Sequence, residues 1–272
     1  MLQKLLGFVT VAATAAAIAT LSACSSGSPS SGGSMPSTNA SRTLGFADVS
    51  RLGISPKYWA LTRLVSGRSA ARPLRKKVPK DLFVADYGLD AVEILTNKTW
   101  QNVGSITSGI DSPDGAFVDK KGNLYISNAG SVDITEYKPG ASSPKYTYSS
   151  GMENPTDVSV DTHGNVYEAD FEDGDVAEFP QGSNTPSEQC AITGWVGGVA
   201  VDKSGDVFVA FYNKNTGAGQ INEYAGGLNG CNATTLGASL VFPGGMAIDG
   251  KGNIVICDQD NNTVDIIDPP YS

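Results

Sequence analysis

From residue 81 onward, short apolar runs of period two alternate with polar, glycine-bearing turns, and one pattern returns four times. Gly-Ala-Phe-Val-Asp, ending at Asp119, runs on into Lys-Lys-Gly-Asn-Leu-Tyr-Ile-Ser-Asn, ending at Asn128. Equivalent segments lead from Asp161 to Asp170, from Asp202 to Phe211 and from Asp249 to Asp258, and a half copy ends at Asp86. The anchoring aspartates are 42, 41 and 47 residues apart. A third apolar run follows in each unit, closing on Glu plus an aromatic at Glu136-Tyr137, Glu178-Phe179 and Glu223-Tyr224. Period-two runs of this length are strands. Glycine in the Asp-x-x-Gly turn takes a positive φ without steric cost, and the aspartate bonds the turn's backbone.

Units of about 40 residues holding three or four strands predict an all-β chain, a β-propeller of four-stranded blades with about five recognisable repeats. Apolar residues on both faces of the strands fit blades sandwiched between neighbours, with Tyr125, Tyr167 and Phe208 as packing residues. The strands number 18, three in the first copy, four in each middle copy and three in the last. Either the ring has five blades with one incomplete, or a C-terminal piece is missing. The expectation is an open or incomplete ring with a free edge where residues 81–86 meet 262–268. The unit resembles the NHL-type repeat of the six-bladed, TolB-like propellers, whose relatives include gluconolactonase-like enzymes. That resemblance covers residues 80–272 and implies a fold more than an activity.

The first 80 residues follow no such period. Lys4 precedes an apolar run over residues 5–20, shorter than the roughly 20 residues of a membrane span. Leu21, Ser22, Ala23 and Cys24 then resemble a bacterial lipobox, which implies a lipoprotein signal peptide over 1–24 with Cys24 lipidated. Residues 25–41, almost wholly Ser, Gly, Pro, Thr, Asn and Ala, form a flexible linker. Residues 42–79 are a basic, mostly irregular tether, with a short helix expected near Trp59 and Leu61. The propeller is assigned to 80–272.

Charge sharpens this division. Residues 42–80 hold ten basic side chains against Asp48 alone, whereas 81–272 hold eight lysines, no arginine and 27 acids. The net charge of −9 argues against nucleic acid as a partner. In a four-stranded meander the b–c turns and d–a loops share one face. Lysines 98, 120, 121, 138, 145, 203 and 251 belong to the opposite face, leaving the first one acidic and the one to bind with.

Chemistry is sparse. His163, the single histidine, lies in a turn whose equivalents are Lys121, Ser204 and Lys251, which removes a Ser-His-Asp triad. The gluconolactonase resemblance implies a divalent ion held by Glu, Asn and Asp near the axis, yet no residue set matches that pattern position by position. Asp114 and Asp157 enter first strands and are the acids placed to reach the axis. Glu168 stands where the other repeats have Ile126, Val209 and Ile256, either as a functional acid or at a strand end with access to water. Asp170 ends a second strand and caps the next turn, and Glu172, Asp173 and Asp175 complete an acidic loop that is either solvated or a calcium site.

Cys190 and Cys231 hold equivalent positions in adjacent units. Export favours a bridge between them and blade splay opposes it, so both readings stay open. Together these features describe an exported propeller, lipid-anchored to the cell membrane or, in a two-membrane bacterium, the outer membrane. It binds or scaffolds a protein, glycan or small molecule through its acidic loop face and needs no cofactor beyond an optional divalent cation. The alternative is a metal-dependent propeller hydrolase.

Overall fold

The structure, a computed structural model, describes residues 9–13, 21–22, 81–96 and 99–271. Cys24, the linker and the basic tether with its expected helix lie outside the described residues, as does Lys98. Blade 1 contains β3 (Asp81–Asp86), β4 (Ala91–Thr96) and β5 (Asn102–Ile106). Blade 2 contains β6 (Pro113–Val118), β7 (Leu124–Asn128), β8 (Asp133–Tyr137) and β9 (Tyr146–Tyr148). Blade 3 follows with β10 (Pro155–Val160), β11 (Val166–Asp170), β12 (Asp175–Phe179) and β13 (Glu188–Ala191). Blade 4 is β14 (Gly194–Val201), β15 (Val207–Asn213), β16 (Ala218–Tyr224) and β17 (Thr234–Thr235). Blade 5 is β18 (Pro243–Ile248), β19 (Ile254–Asp258) and β20 (Thr263–Ile267). Every blade is an antiparallel meander, and the chain is a five-bladed β-propeller.

The repeated turn explains why the pattern persists. In each copy one aspartate oxygen accepts backbone N–H groups of the turn, as Asp249 does from Lys251 at 2.7 Å and Asn253 at 3.0 Å. Asp119, Asp161 and Asp202 do the same. Gly122, Gly164, Gly205 and Gly252 occupy the left-handed position of that turn, with φ between 80° and 99°.

Four apolar clusters join neighbouring blades among the described residues. Phe83, Ile94 and Ile106 of blade 1 pack on Leu124, Ile126 and Tyr137 of blade 2. Tyr125, Tyr167 and Phe208 each sit in the next three clusters, between blades 2 and 3, 3 and 4, and 4 and 5. Between blades 5 and 1 the described side chains form two separate clusters, Ala247 with Val255 and Leu82 with Val84 and Leu95, and Leu21–Ser22 lies against β18 and β19.

No ladder joins β20 to β3 among the described residues. The inner edge of β3 is instead paired by β1 (Val9–Ala13), which carries β2 (Leu21–Ser22) on its other side. In the uncleaved chain a segment from within the expected leader thus fills the inner position that the half copy ending at Asp86 lacks.

Cys190 and Cys231 are disulfide-bonded, with Cα atoms 5.4 Å apart. Cys231 lies not on an outer strand but in a 3-10 turn, Asn229–Cys231, which packs on β13, so the blade splay weighed against a bridge does not separate the pair. Cys257 is buried and takes no part in a disulfide.

Candidate functional site

At the axis the inner strands meet almost backbone to backbone. Each of β6, β10, β14 and β18 carries a register irregularity near its first residues. Glycine is needed there because the next blade is too close for a side chain. A Cβ on Gly115 would fall 2.7 Å from the Asp157 Cα, and one on Gly198 would fall 2.6 Å from the Gly244 carbonyl oxygen.

Asp157 is buried in this wall. Its carboxylate accepts the N–H of Val158 at 2.9 Å and of Val199 in blade 4 at 3.1 Å, and it also takes the Met246 amide of blade 5. Burial pushes its carboxyl up to about 7 against those amides, and Asp114 adds repulsion. Asp114 retains some solvent access while protein surrounds it, and burial pushes it up to about 7 as well. The two carboxyls thus sit close enough to feel each other. Among the described residues no three acidic, histidine or cysteine side chains converge as a metal-holding group, and the axis offers a pair only. His163 is 83% exposed on its side chain, 3.5 Å from Asp161 on the opposite face.

The acids of blade 3 divide into different roles. Asp170 accepts amides from Glu153 at 2.6 Å, Asn154 at 3.1 Å, and Glu172 and Asp173 at 3.1 Å each. It therefore clamps the d–a loop and the b–c turn together. Asp258 repeats this with Val241 and Phe242, and Asn128 accepts the Asp111 amide. Glu172 and Asp173 are exposed in the turn, and Asp173 is the main cause raising Glu153 nearby. Asp175 accepts Gln189 Nε2 at 2.5 Å on one oxygen, while the other oxygen is buried without a partner. Burial pushes Asp175 up to about 6. Glu168 is 0% exposed, which corrects the expectation of water access, and neither of its oxygens has a hydrogen-bond partner.

Sequence reasoning missed an aromatic strip on the same face. Phe171 of the blade 3 turn stacks on Trp195 of β14, with centroids 5.8 Å apart and planes 6° apart. Trp195 stacks on Tyr212 of β15 at 5.5 Å, and Tyr212 meets Phe242, before β18, at 5.3 Å. Lys214 lies 4.9 Å over the Trp195 ring, a cation–π contact. All four rings keep partial solvent exposure. The signal for the strip was the break in the series at Phe211. In blade 4 the second strand runs on to Asn213, where its counterparts stop at Asn128, Asp170 and Asp258. That extension raises Tyr212 to the level of Trp195, its cross-strand partner.

The chain is similar in fold to solved propellers. A protein of unknown function from Bacteroides caccae aligns with a TM-score of 0.54 at 15% identity, covering 70% of this chain and 75% of that one. The WD40 β-propeller domain of Doa1 aligns at 0.55 and 11% identity, covering 68% of this chain and 60% of that one. No protein-family model and no curated protein matches the chain.

Proposed function

We propose that the protein is an exported, lipid-anchored binding propeller that takes its ligand on the face bearing the b–c turns and d–a loops. The aromatic strip carries this reading. Four partly exposed rings drawn from three blades form one surface, with Glu172 and Asp173 following Phe171 in the same turn and Glu153 beside Asp173. Rings with one wet side are enriched where proteins bind others. The opposite face holds Lys120, Lys121, Lys138, Lys145, Lys203 and Lys251 in its turns, whereas Lys214 is the single described lysine on the binding face. Charge on that side therefore favours a cationic or polar ligand that lays an apolar surface on the rings.

The lipobox-like residues before Cys24 support anchoring, and the Cys190–Cys231 bridge suits an oxidising compartment. The repeat's likeness to NHL-type units supports a place among TolB-like propellers, with five blades in place of six. Metabolic labelling with a fatty acid should mark the protein and spare Cys24→Ser. Soluble oligosaccharides and basic peptides, screened by protein-observed NMR, should shift resonances around Trp195 and Tyr212. Shifts confined to the lysine-bearing face would overturn the choice of face.

A further inference from the structure

We propose a calcium site inside blade 3, built on Glu168 and Asp175 at the boundary with blade 2. Register places both side chains on one face of the sheet. Glu168 is paired with Ala177, Asp170 with Asp175, and residues 168, 170, 175 and 177 therefore project together. Ala177 itself packs in the cluster between blades 2 and 3, which fixes that face as the one turned to blade 2.

Three oxygens at this spot are buried and without partners: both of Glu168 and Oδ1 of Asp175. Such atoms are rare, because a buried acceptor left unmet forfeits its hydration without return. Elsewhere a buried acid is met by cations: Lys138 at 3.1 Å and Lys145 at 3.4 Å both reach Oε1 of the fully buried Glu136, which leaves one of its oxygens unmet where Glu168 leaves two. No ion pair among the described residues reaches Glu168, whose charged neighbours are Asp170, Asp173 and Asp175. The fold does not require an acid there, since the equivalent positions hold Ile126, Val209 and Ile256, all fully buried.

The donor set selects the ion. Asp170 is already occupied by four backbone amides, so two carboxylates remain, and backbone carbonyls and water must complete the shell. Calcium accepts such an all-oxygen, irregular shell at 2.3–2.6 Å, whereas zinc favours nitrogen and sulfur and magnesium an octahedron with several waters. Two carboxylates neutralise one divalent ion. Affinity in the range of about 10⁻⁴ to 10⁻³ M fits a site with so few charged ligands.

The test is melting of the full chain in rising calcium chloride, with magnesium chloride in parallel and terbium luminescence as a second readout. The wild-type melting temperature should rise and saturate with calcium, and respond less to magnesium. Glu168→Gln and Asp175→Asn should weaken the response on the order of 100-fold, through loss of one of two charged ligands. Glu168→Ile restores the side chain of the sister blades, so it should fold, melt above calcium-free wild type and ignore calcium. Indifference of the wild type to calcium in both readouts would overturn the site, as would a wild-type response retained by Glu168→Ile.

Discussion

The carboxylate of Asp157 accepts the backbone N–H of Val199 at 3.1 Å, across the boundary between blades 3 and 4. Two further contacts reinforce this join: Thr156 Oγ1 donates to the Val196 carbonyl at 3.2 Å, and the Val201 N–H donates to Ser159 Oγ at 3.2 Å. Apolar packing holds the outer parts of the blades, and these polar links hold the inner strands where glycines leave no side chains to pack.

Asp157→Ala would leave the buried N–H groups of Val158 and Val199 without acceptors. Each such loss costs about 1–3 kcal/mol. Urea denaturation should show a fall of about 2–4 kcal/mol in unfolding free energy. A change within error of zero would mean that water replaces the carboxylate at no cost.

Acidification should stabilise the protein. Asp114 and Asp157 are raised from 3.8 to about 7, so between those values the folded chain holds protons that the unfolded chain has released. Their contribution is fully present below the unfolded value and is lost as pH rises through about 7. Asp175 and Glu168 are raised too and act in the same sense. The melting temperature should climb from about pH 8 to about pH 5. Asp114→Asn should flatten that climb, since Asp114 makes no hydrogen bond among the described residues and its loss leaves no donor stranded. A melting temperature that rises toward alkaline pH would contradict this.

Reducing the Cys190–Cys231 bridge reopens a separation of 41 residues. Chain entropy assigns such a loop about 4 kcal/mol, and measured values commonly fall at about 2–4 kcal/mol. Cys190→Ala with Cys231→Ala should lose that amount, and a reducing agent should destabilise wild type without affecting the double variant.

Gly198→Ala tests the contact at the axis. The added methyl would sit 2.6 Å from the Gly244 carbonyl oxygen and 3.0 Å from the Met246 nitrogen, backbone atoms that cannot turn aside. Overpacking of this kind costs about 1–3 kcal/mol. Thermal melting should register it, and a neutral result would show that β14 and β18 separate readily.

Cleavage before Cys24, which the lipid-anchored reading requires, removes Val9–Ala13 and should expose the inner edge of β3 relative to the uncleaved Cys24→Ser chain. Hydrogen exchange should then accelerate at the β3 amides that face β1 and leave β11 and β15 unchanged. Equal protection with and without the leader would show that another segment takes the position.

The blades were legible because Asp119, Asp161, Asp202 and Asp249 each fix a turn through local bonds, and local bonds leave a mark at constant spacing. The five repeats and the short first and last copies followed from the same spacing, which left open the choice between a five-bladed ring and a missing piece. Relations between units left no such mark. Phe171, Trp195, Tyr212 and Phe242 come from separate turns and strands, and only the ring places them together. The disulfide depended on a turn at Asn229–Cys231 that lies outside the repeat. Glu168 was visible as a departure from Ile and Val, but its depth came from blade 2, which sequence alone does not bring near.

The unmerged clusters of blades 5 and 1 give the molecule a mechanical polarity. A closed hoop shares a load around its circumference, whereas this one is a strip of plates riveted at four joints and bridged at the fifth by the β1–β2 hairpin, with β1 on β3 and β2 against β18 and β19. Tension on β3 enters at the bridged joint, while traction on the outer strand of blade 3 is shared through the Cys190–Cys231 link with blade 4. A membrane-anchored copy, cleaved before Cys24, lacks that bridge and would open there first, with the aromatic strip on blades 3 to 5 still assembled.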